Sequence, residues 1–242
     1  MPETAADAKP EDISDEIPVP DLSDIITEDD TPADNVFSEK QRRLLTEPLH
    51  SSWSSPAGGK YFLAANVGVF AMASNDPLVP DVFLSMDTAP RQPFELKRNR
   101  SYFVWEHGKP PDVVIEVVSN TEGGELTRKL RGYERMRVSH YVVFDPWQML
   151  GSATLTRFEL RVDTLVEAPG SLRLPKLGLG LALWEGSFER EVAQWLRWCD
   201  LEGAVIPTGG ERAEAEKQRA EAEKQRADRL AARLRELGVD IE

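Results

Sequence analysis

The strongest β-strand signal in the sequence is the run Val113–Val118, which is apolar except for a single glutamate, Glu116. Branched residues such as Val and Ile favour strands, and a continuous apolar run of this length is typical of a strand buried on both faces. An ionised carboxylate is costly to bury without a partner. The sequence therefore predicts either a functional role for Glu116 or an ion pair with an arginine such as Arg128 or Arg131.

A second carboxylate, Asp81, opens another predicted strand directly after Pro80. If the two strands lie side by side and antiparallel, the start of one adjoins the end of the other, and Asp81 comes close to Glu116. Asp112 would then lie about 13 Å from Glu116, at roughly 3.3 Å per residue, and we interpret it as a turn or strand cap. Two carboxylates at one corner would suit Mg²⁺, which prefers oxygen ligands. The alternative for Asp81 is that it only opens the strand.

Lys129 lies on the helix predicted for residues 125–137, directly after the strand that carries Glu116. Its position lets the ammonium point at the same corner, although a solvated helix lysine remains the alternative. Tyr133 and the tryptophans Trp184, Trp195 and Trp198 are predicted to pack in the core, because they fall at spacings typical of buried faces.

The remaining patterns predict an α/β domain over residues 36–200. A helix is expected to begin with a capping box at Ser38 and Gln41 and to be interrupted at Pro48. A short amphipathic helix is expected at 189–199. The predicted strands cover residues 61–72, 80–85, 102–106, 111–118 and 140–146, and short strand-like pieces at 153–166 and 171–175 suggest a closing hairpin.

Residues 1–35 form an acidic segment with 12 acidic residues and one base, Lys9. So little apolar surface can be buried here that we expect a disordered, solvating tail. The other 30 acidic and 28 basic residues nearly balance, so the tail carries −11 of the net charge of −13. The overall charge therefore does not exclude a nucleic-acid partner for the body.

The C-terminal part of the chain is predicted to be a linker, residues 201–210, followed by a charged helix over residues 211–242. Ala213, Ala220, Ala227 and Leu234 recur every seven residues, as in a coiled coil. Lys217 stands where a coiled-coil seam favours leucine. We interpret the segment as an exposed helix or a weak self-association element, which would make the protein a homo-oligomer.

Several function classes have no support in the sequence. There is no P-loop, no Gly-rich dinucleotide turn and no Gly-x-Ser-x-Gly elbow, and Cys199 is the one cysteine. No apolar stretch is long enough to span a membrane, and the first residues carry no export signal. We expect a cytoplasmic protein without a disulfide or a Cys-rich zinc site.

The stretch PPDVVIEVVSNTEGGELTRKLRGYERMRVSHYVVFDP closely resembles the Uma-two family of restriction-endonuclease-like, PD-(D/E)XK proteins. The segments VPDVFLSM, YFVWEHGKPPD and RLRELGVDIE are also similar to that family's pattern. The resemblance implies a mixed central β-sheet flanked by helices, and a metal-dependent endonuclease acting on DNA.

By the same resemblance, Asp81 and Glu116 would be the catalytic acids that hold Mg²⁺, or Mn²⁺ in its place. The lysine that usually follows the second acid by two residues is replaced here by Val118, and Lys129 would substitute for it from the helix. The alternative is a catalytically weak nuclease-like module that binds nucleic acid or a protein partner and assembles through its C-terminal helix. A purely structural interaction protein is the third alternative.

Overall fold

The computed structural model describes residues 35–73, 76–170 and 172–236. The predicted acidic tail therefore lies almost entirely outside the described residues. The helices are α1 (Val36–Ser51), α2 (Val104–His107), α3 (Leu130–Met136) and α4 (Gly209–Glu236), with a π-helical turn, Glu125–Lys129, directly before α3. The strands are β1 (Tyr61–Ala65), β2 (Val69–Phe70), β3 (Val82–Met86), β4 (Tyr102–Phe103), β5 (Val113–Val117), β6 (His140–Phe144), β7 (Leu155–Arg161), β8 (Thr164–Glu167), β9 (Leu172–Leu174), β10 (Leu179–Phe188) and β11 (Glu191–Cys199).

A mixed six-stranded sheet in the order β1-β3-β5-β6-β7-β8 forms the centre of the fold. β3 and β5 are antiparallel, whereas β5 and β6 are parallel and are connected through the π-helical turn and α3. All five residues of β5 are buried, which explains its apolar sequence. This is the mixed sheet flanked by helices that the family resemblance implies, within the α/β domain that the patterns predict.

Each face of the central sheet packs on its own hydrophobic core. On one face, Leu45 and Leu49 of α1 pack with β9, β10 and β11 against the inward side chains of the sheet. On the other face, Tyr133 and Met136 of α3 pack against the alternate side chains. Because strand side chains alternate between faces, neighbouring residues of β5 belong to different cores.

Helix α1 begins earlier and ends later than its sequence pattern indicates. The side chain of Asn35, and not that of Ser38, caps the helix by accepting a hydrogen bond from the Ser38 backbone N–H at 3.0 Å. Pro48 does not interrupt α1, which continues to Ser51. Proline has no backbone N–H, so one helical hydrogen bond is lost at Pro48. Because Pro48 lies in the last turn, the loss of that one bond does not end the helix.

The predicted helix at residues 189–199 is wrong. Residues Glu191–Cys199 are strand β11, paired antiparallel with β10. Trp195 and Trp198 stand three residues apart, which imitates a helical face, although both are buried as expected. The turn that joins the strands, Glu189 and Arg190, has positive φ at both residues but lacks the glycine or asparagine that usually marks such a turn in a sequence.

Two other predicted strands are shorter than their patterns. The run at 61–72 divides into β1 and β2, since Asn66 has a φ of 54° and redirects the chain between them. The segment 102–106 contributes only β4 before the chain turns into the short helix α2.

The predicted linker 201–210 is attached to the body of the protein, and α4 begins inside it. Thr208 and Glu211 form a capping box, in which the Thr208 Oγ1 accepts from the Glu211 N–H and Glu211 accepts from the Thr208 N–H. The buried guanidinium of Arg197 donates to both carboxylate oxygens of Glu211, at 2.8 and 2.6 Å. The start of α4 is therefore tied to β11, while most of its length is exposed. The coiled coil stays a prediction.

None of the described helices is both long enough and apolar enough to cross a membrane.

Gln41 connects α1 to β11 and is fully buried. Its Nε2 donates to the Leu196 carbonyl at 2.8 Å, and its Oε1 accepts from the Leu196 N–H at 3.0 Å. The amide thus covers the outer edge of β11, which has no strand neighbour on that side within the described part of the chain.

We predict that Gln41→Leu lowers the free energy of unfolding by about 2–5 kcal/mol, because it leaves two buried backbone groups of Leu196 without partners. Arg43→Gln is the control, since Arg43 pairs at the exposed surface with Glu39 and Glu189 and its removal should cost less than about 1 kcal/mol. Urea unfolding measures both. Equal effects of the two substitutions would contradict the role assigned to Gln41.

Candidate active site

Strand register brings Asp81 and Glu116 together. β3 and β5 pair antiparallel with Val82 opposite Ile115, so the residue before Val82 meets the residue after Ile115. The Val117 N–H donates to Asp81 Oδ2 at 2.8 Å, which fixes the aspartate against β5. Asp81 is 7% exposed and Glu116 is 1% exposed. Two acidic side chains therefore lie next to each other in a buried corner, as the antiparallel pairing predicts.

The counter-charge of Asp81 comes from α1. Arg42 NH1 lies 2.7 Å from Asp81 Oδ1, and both side chains are about one-tenth exposed. Sequence reasoning missed Arg42, because it stands 39 residues from Asp81 and fits an ordinary helix pattern. The sequence indicated only that a buried carboxylate requires a cationic partner, and it did not identify that partner.

Glu116 is held by two donors from the segment that follows β5. Lys129 Nζ lies 2.9 Å from Glu116 Oε2, and the Tyr133 hydroxyl donates to Oε1 at 2.6 Å. The partner of Glu116 is thus Lys129 and not Arg128 or Arg131. Tyr133 is a core residue, as predicted, but its hydroxyl contacts the acid. Lys129 and Tyr133 are four residues apart and therefore lie on the same side of the helical segment. That spacing could have indicated that both side chains contact one group.

Burial dominates the electrostatics of Glu116. Removal from water raises the pKa of its carboxyl to about 8; Lys129 opposes this shift, and the nearby Asp81 adds to it. Burial also raises the pKa of Tyr133 well above its usual value, and Glu116 raises it further, so the phenol stays protonated and can donate. For Lys129, burial lowers the pKa, but Glu116 and Glu125 outweigh it and keep the ammonium charged.

Glu125 is a third acid near Lys129, which sequence reasoning did not single out. Its Oε1 lies 3.5 Å from Lys129 Nζ, and its Oε2 is buried without a hydrogen-bond partner in the described structure. The Tyr141 hydroxyl donates to the Glu125 carbonyl at 2.9 Å and so holds the π-helical turn in place. The carboxylate lies over Gly123, where a Cβ would stand 2.0 Å from Oε1.

Asp112 lies at the opposite end of β5. Its Oδ2 accepts from the Met86 N–H at 2.7 Å and from the Lys109 ammonium at 2.5 Å. It therefore closes the loop before β5, as expected for a cap, and takes no part in the corner formed by Asp81 and Glu116.

The donor set of the corner suits a hard cation. Within residues 35–73, 76–170 and 172–236, no three His, Cys, Asp or Glu side chains form a group that could hold a metal ion. Mg²⁺, however, is commonly bound through one or two carboxylates, with water and substrate phosphate oxygens completing its shell. Each oxygen of Asp81 and Glu116 already accepts one hydrogen bond, and a carboxylate oxygen has a further lone pair. The residues therefore fit Mg²⁺.

The model of a family described as "Uma2: Putative restriction endonuclease" matches residues 18–183, and this range contains Asp81, Glu116 and Lys129. No curated protein matches the chain.

We predict that the stability of the Glu116→Gln variant relative to the wild type increases as the pH rises from about 5 to about 9. The unfolded carboxyl ionises near pH 4.5, whereas the folded one keeps its proton until about pH 8. The folded state therefore binds more protons across this window, and wild-type stability falls as the pH rises. Thermal unfolding of both proteins in EDTA measures the difference. A difference that is flat or shrinks with rising pH would exclude the raised pKa.

We predict that Arg42→Met lowers the free energy of unfolding by about 3–5 kcal/mol, because it leaves Asp81 buried without its guanidinium. Asp81→Asn in the same chain should restore part of that loss. A double-mutant cycle measured by urea unfolding gives the coupling, and additive effects of the two substitutions would show that the pair does not interact.

Proposed function

The chain belongs to the Uma2 family of restriction-endonuclease-like proteins, and from this membership we propose that it is a metal-dependent endonuclease that hydrolyses DNA phosphodiester bonds. The observation that carries the proposal is the placement of Asp81 and Glu116 side by side at the β3–β5 corner, with Lys129 against Glu116. A buried pair of acids is costly for folding, and buried acids with perturbed pKa values are concentrated at functional sites.

Asp81 and Glu116 would hold Mg²⁺, or Mn²⁺ in its place, through their carboxylate oxygens. When bound, such an ion polarises the phosphate and lowers the pKa of a coordinated water. Arg42 pairs with Asp81 and orients it, and the Val117 N–H fixes its second oxygen. Tyr133 donates to Glu116 and so sets the direction of that carboxylate.

Lys129 supplies a positive charge beside the two acids. Its ammonium has three donors, of which one is engaged with Glu116 and one with Glu125. Another can hydrogen-bond the attacking water or the negative charge that develops on the phosphorane. Glu125, on the preceding turn, keeps the ammonium on this side of Glu116.

A second candidate is a nuclease-like module that binds nucleic acid without cutting it. The observation that favours it is that both acids already carry a protein cation, Arg42 on Asp81 and Lys129 on Glu116. A metal ion must compete with these cations for the same carboxylates. DNA binding without cleavage, unaffected by loss of Glu116, would support this candidate.

We predict that the purified protein nicks supercoiled plasmid in Mg²⁺ or Mn²⁺ and that EDTA abolishes the reaction. Glu116→Ala should abolish nicking, because a metal ligand is lost, while Glu167→Ala, which removes an exposed glutamate from β8, should have no effect. Lys129→Gln should lower the rate about 100- to 1,000-fold, as expected for one transition-state donor.

The control for Lys129→Gln is Lys217→Gln on the exposed part of α4, which should cut like wild type. Gel separation of supercoiled, nicked and linear plasmid measures all variants. A wild-type protein that does not cut, or a Glu116→Ala variant that cuts normally, would reject the nuclease.

A further inference from the structure

The segment that carries Lys129 is rich in basic residues. Residues 125–137 contain five basic and two acidic side chains, in a chain of net charge −13. Both acids are already engaged: Glu125 is buried against Lys129, and Glu134 accepts from the Leu165 N–H at 2.8 Å. Within the part of the chain that the structure describes, neither carboxylate forms an ion pair with an exposed arginine of the segment.

Three arginines of this segment, Arg128, Arg131 and Arg135, are exposed and form what we call the arginine face. Their spacing of three and four residues places them along one side of the helix. None of them has an ion pair within the described residues, and Arg135 donates to the Arg131 carbonyl of its own helix. Three like charges in such a row disfavour the helix slightly unless an external anion neutralises them.

The arginines of α4 stand in a different environment. Arg212 pairs with Glu216, and Arg233 pairs with Glu236. Arg219 and Arg226 each have a glutamate three residues before them, Glu216 and Glu223. Residues 209–236 of α4 carry seven acidic and eight basic side chains and so nearly balance, whereas residues 125–137 carry two acidic and five basic side chains.

The arginine face belongs to the same helical segment as Lys129 of the candidate active site. Lys129 follows Arg128 directly, and Gly132 packs against Leu78, three residues before Asp81. The first and last members of the face, Arg128 and Arg135, are seven positions apart, or about 10.5 Å at 1.5 Å per residue. One strand of duplex DNA presents a phosphate about every 3.4 Å along the axis, so the face is long enough to follow about three phosphates.

We propose that the arginine face binds the sugar-phosphate backbone of the nucleic acid that the active site cuts, and directs the strand along the helix toward Asp81 and Glu116. The choice of nucleic acid as the ligand of the arginine face rests on the proposed nuclease function. The contact is independent of base sequence, because guanidiniums on phosphates read charge and not base edges. The bound class is therefore a nucleic-acid backbone, and an acidic protein surface is the competing class.

The test measures binding in the absence of cutting. The full chain carrying Glu116→Gln, in EDTA, is titrated with a fluorescent DNA duplex at several salt concentrations. The triple substitution of Arg128, Arg131 and Arg135 by Gln should raise Kd more than about tenfold near 0.1 M salt. It should also reduce the slope of log K against log salt by about 2.7, since each lost phosphate contact accounts for about 0.9.

The matched control is the triple substitution of Arg219, Arg226 and Arg229 by Gln in the same background. It removes the same charge from exposed positions of α4, and Arg229 donates to the Gln225 carbonyl as Arg135 donates to that of Arg131. We expect its slope to stay within about 0.5 of the parent. Thermal unfolding of all proteins verifies that each variant is folded.

The proposal is overturned if the Glu116→Gln parent does not bind DNA, or if the two triple variants weaken binding equally. It is also overturned if polyglutamate displaces the DNA at the same charge concentration and the arginine-face variant leaves the slope of log K against log salt unchanged. Nuclease activity is scored separately on plasmid. If the wild type cuts but the arginine-face variant keeps the slope of log K against log salt, the nuclease function stands and the arginine face is rejected. If that slope falls but the wild type does not cut, the arginine face is supported and the nuclease function is rejected.

Discussion

The close approach of two carboxylates, Asp81 and Glu116, across the β3–β5 pair is the constraint around which the rest of the structure is arranged. Both are nearly inaccessible to water, and the charge of Asp81 raises the cost of ionising Glu116. Buried charges of one sign are tolerated only where cations and hydrogen-bond donors compensate them. The fold supplies these groups from both faces of the central sheet.

The two cations reach the corner by different routes. Arg42 comes from α1, which packs on the core shared with β9, β10 and β11. Lys129 comes from the turn before α3, which packs on the opposite core. The attachment of α1 to β11 through Gln41 therefore matters to the site, because it sets the position from which Arg42 extends. The hairpin of β10 and β11, distant in sequence, supports the geometry of Asp81.

Sequence patterns located much of the fold and of the candidate site. The strands around Asp81 and Glu116 could be predicted, because branched apolar residues in a continuous run favour a buried strand even where one acid interrupts them. The approach of the two acids followed from the antiparallel pairing, and the family resemblance agrees with the family match over residues 18–183. Strand β11 was assigned wrongly, because its tryptophans have helical spacing and its turn carries no glycine.

The sequence by itself determined where acidic residues enter buried strands, that Lys129 follows them on a helix, and that a charged helix lies near the end of the chain. Such features depend on the local preferences and the periodicity of residues that are close to each other in the sequence. Only the tertiary structure decided that Arg42 neutralises Asp81, that the Tyr133 hydroxyl donates to Glu116, and that the start of α4 is tied to Arg197. These contacts join residues between 14 and 39 positions apart, and chain packing alone brings them together.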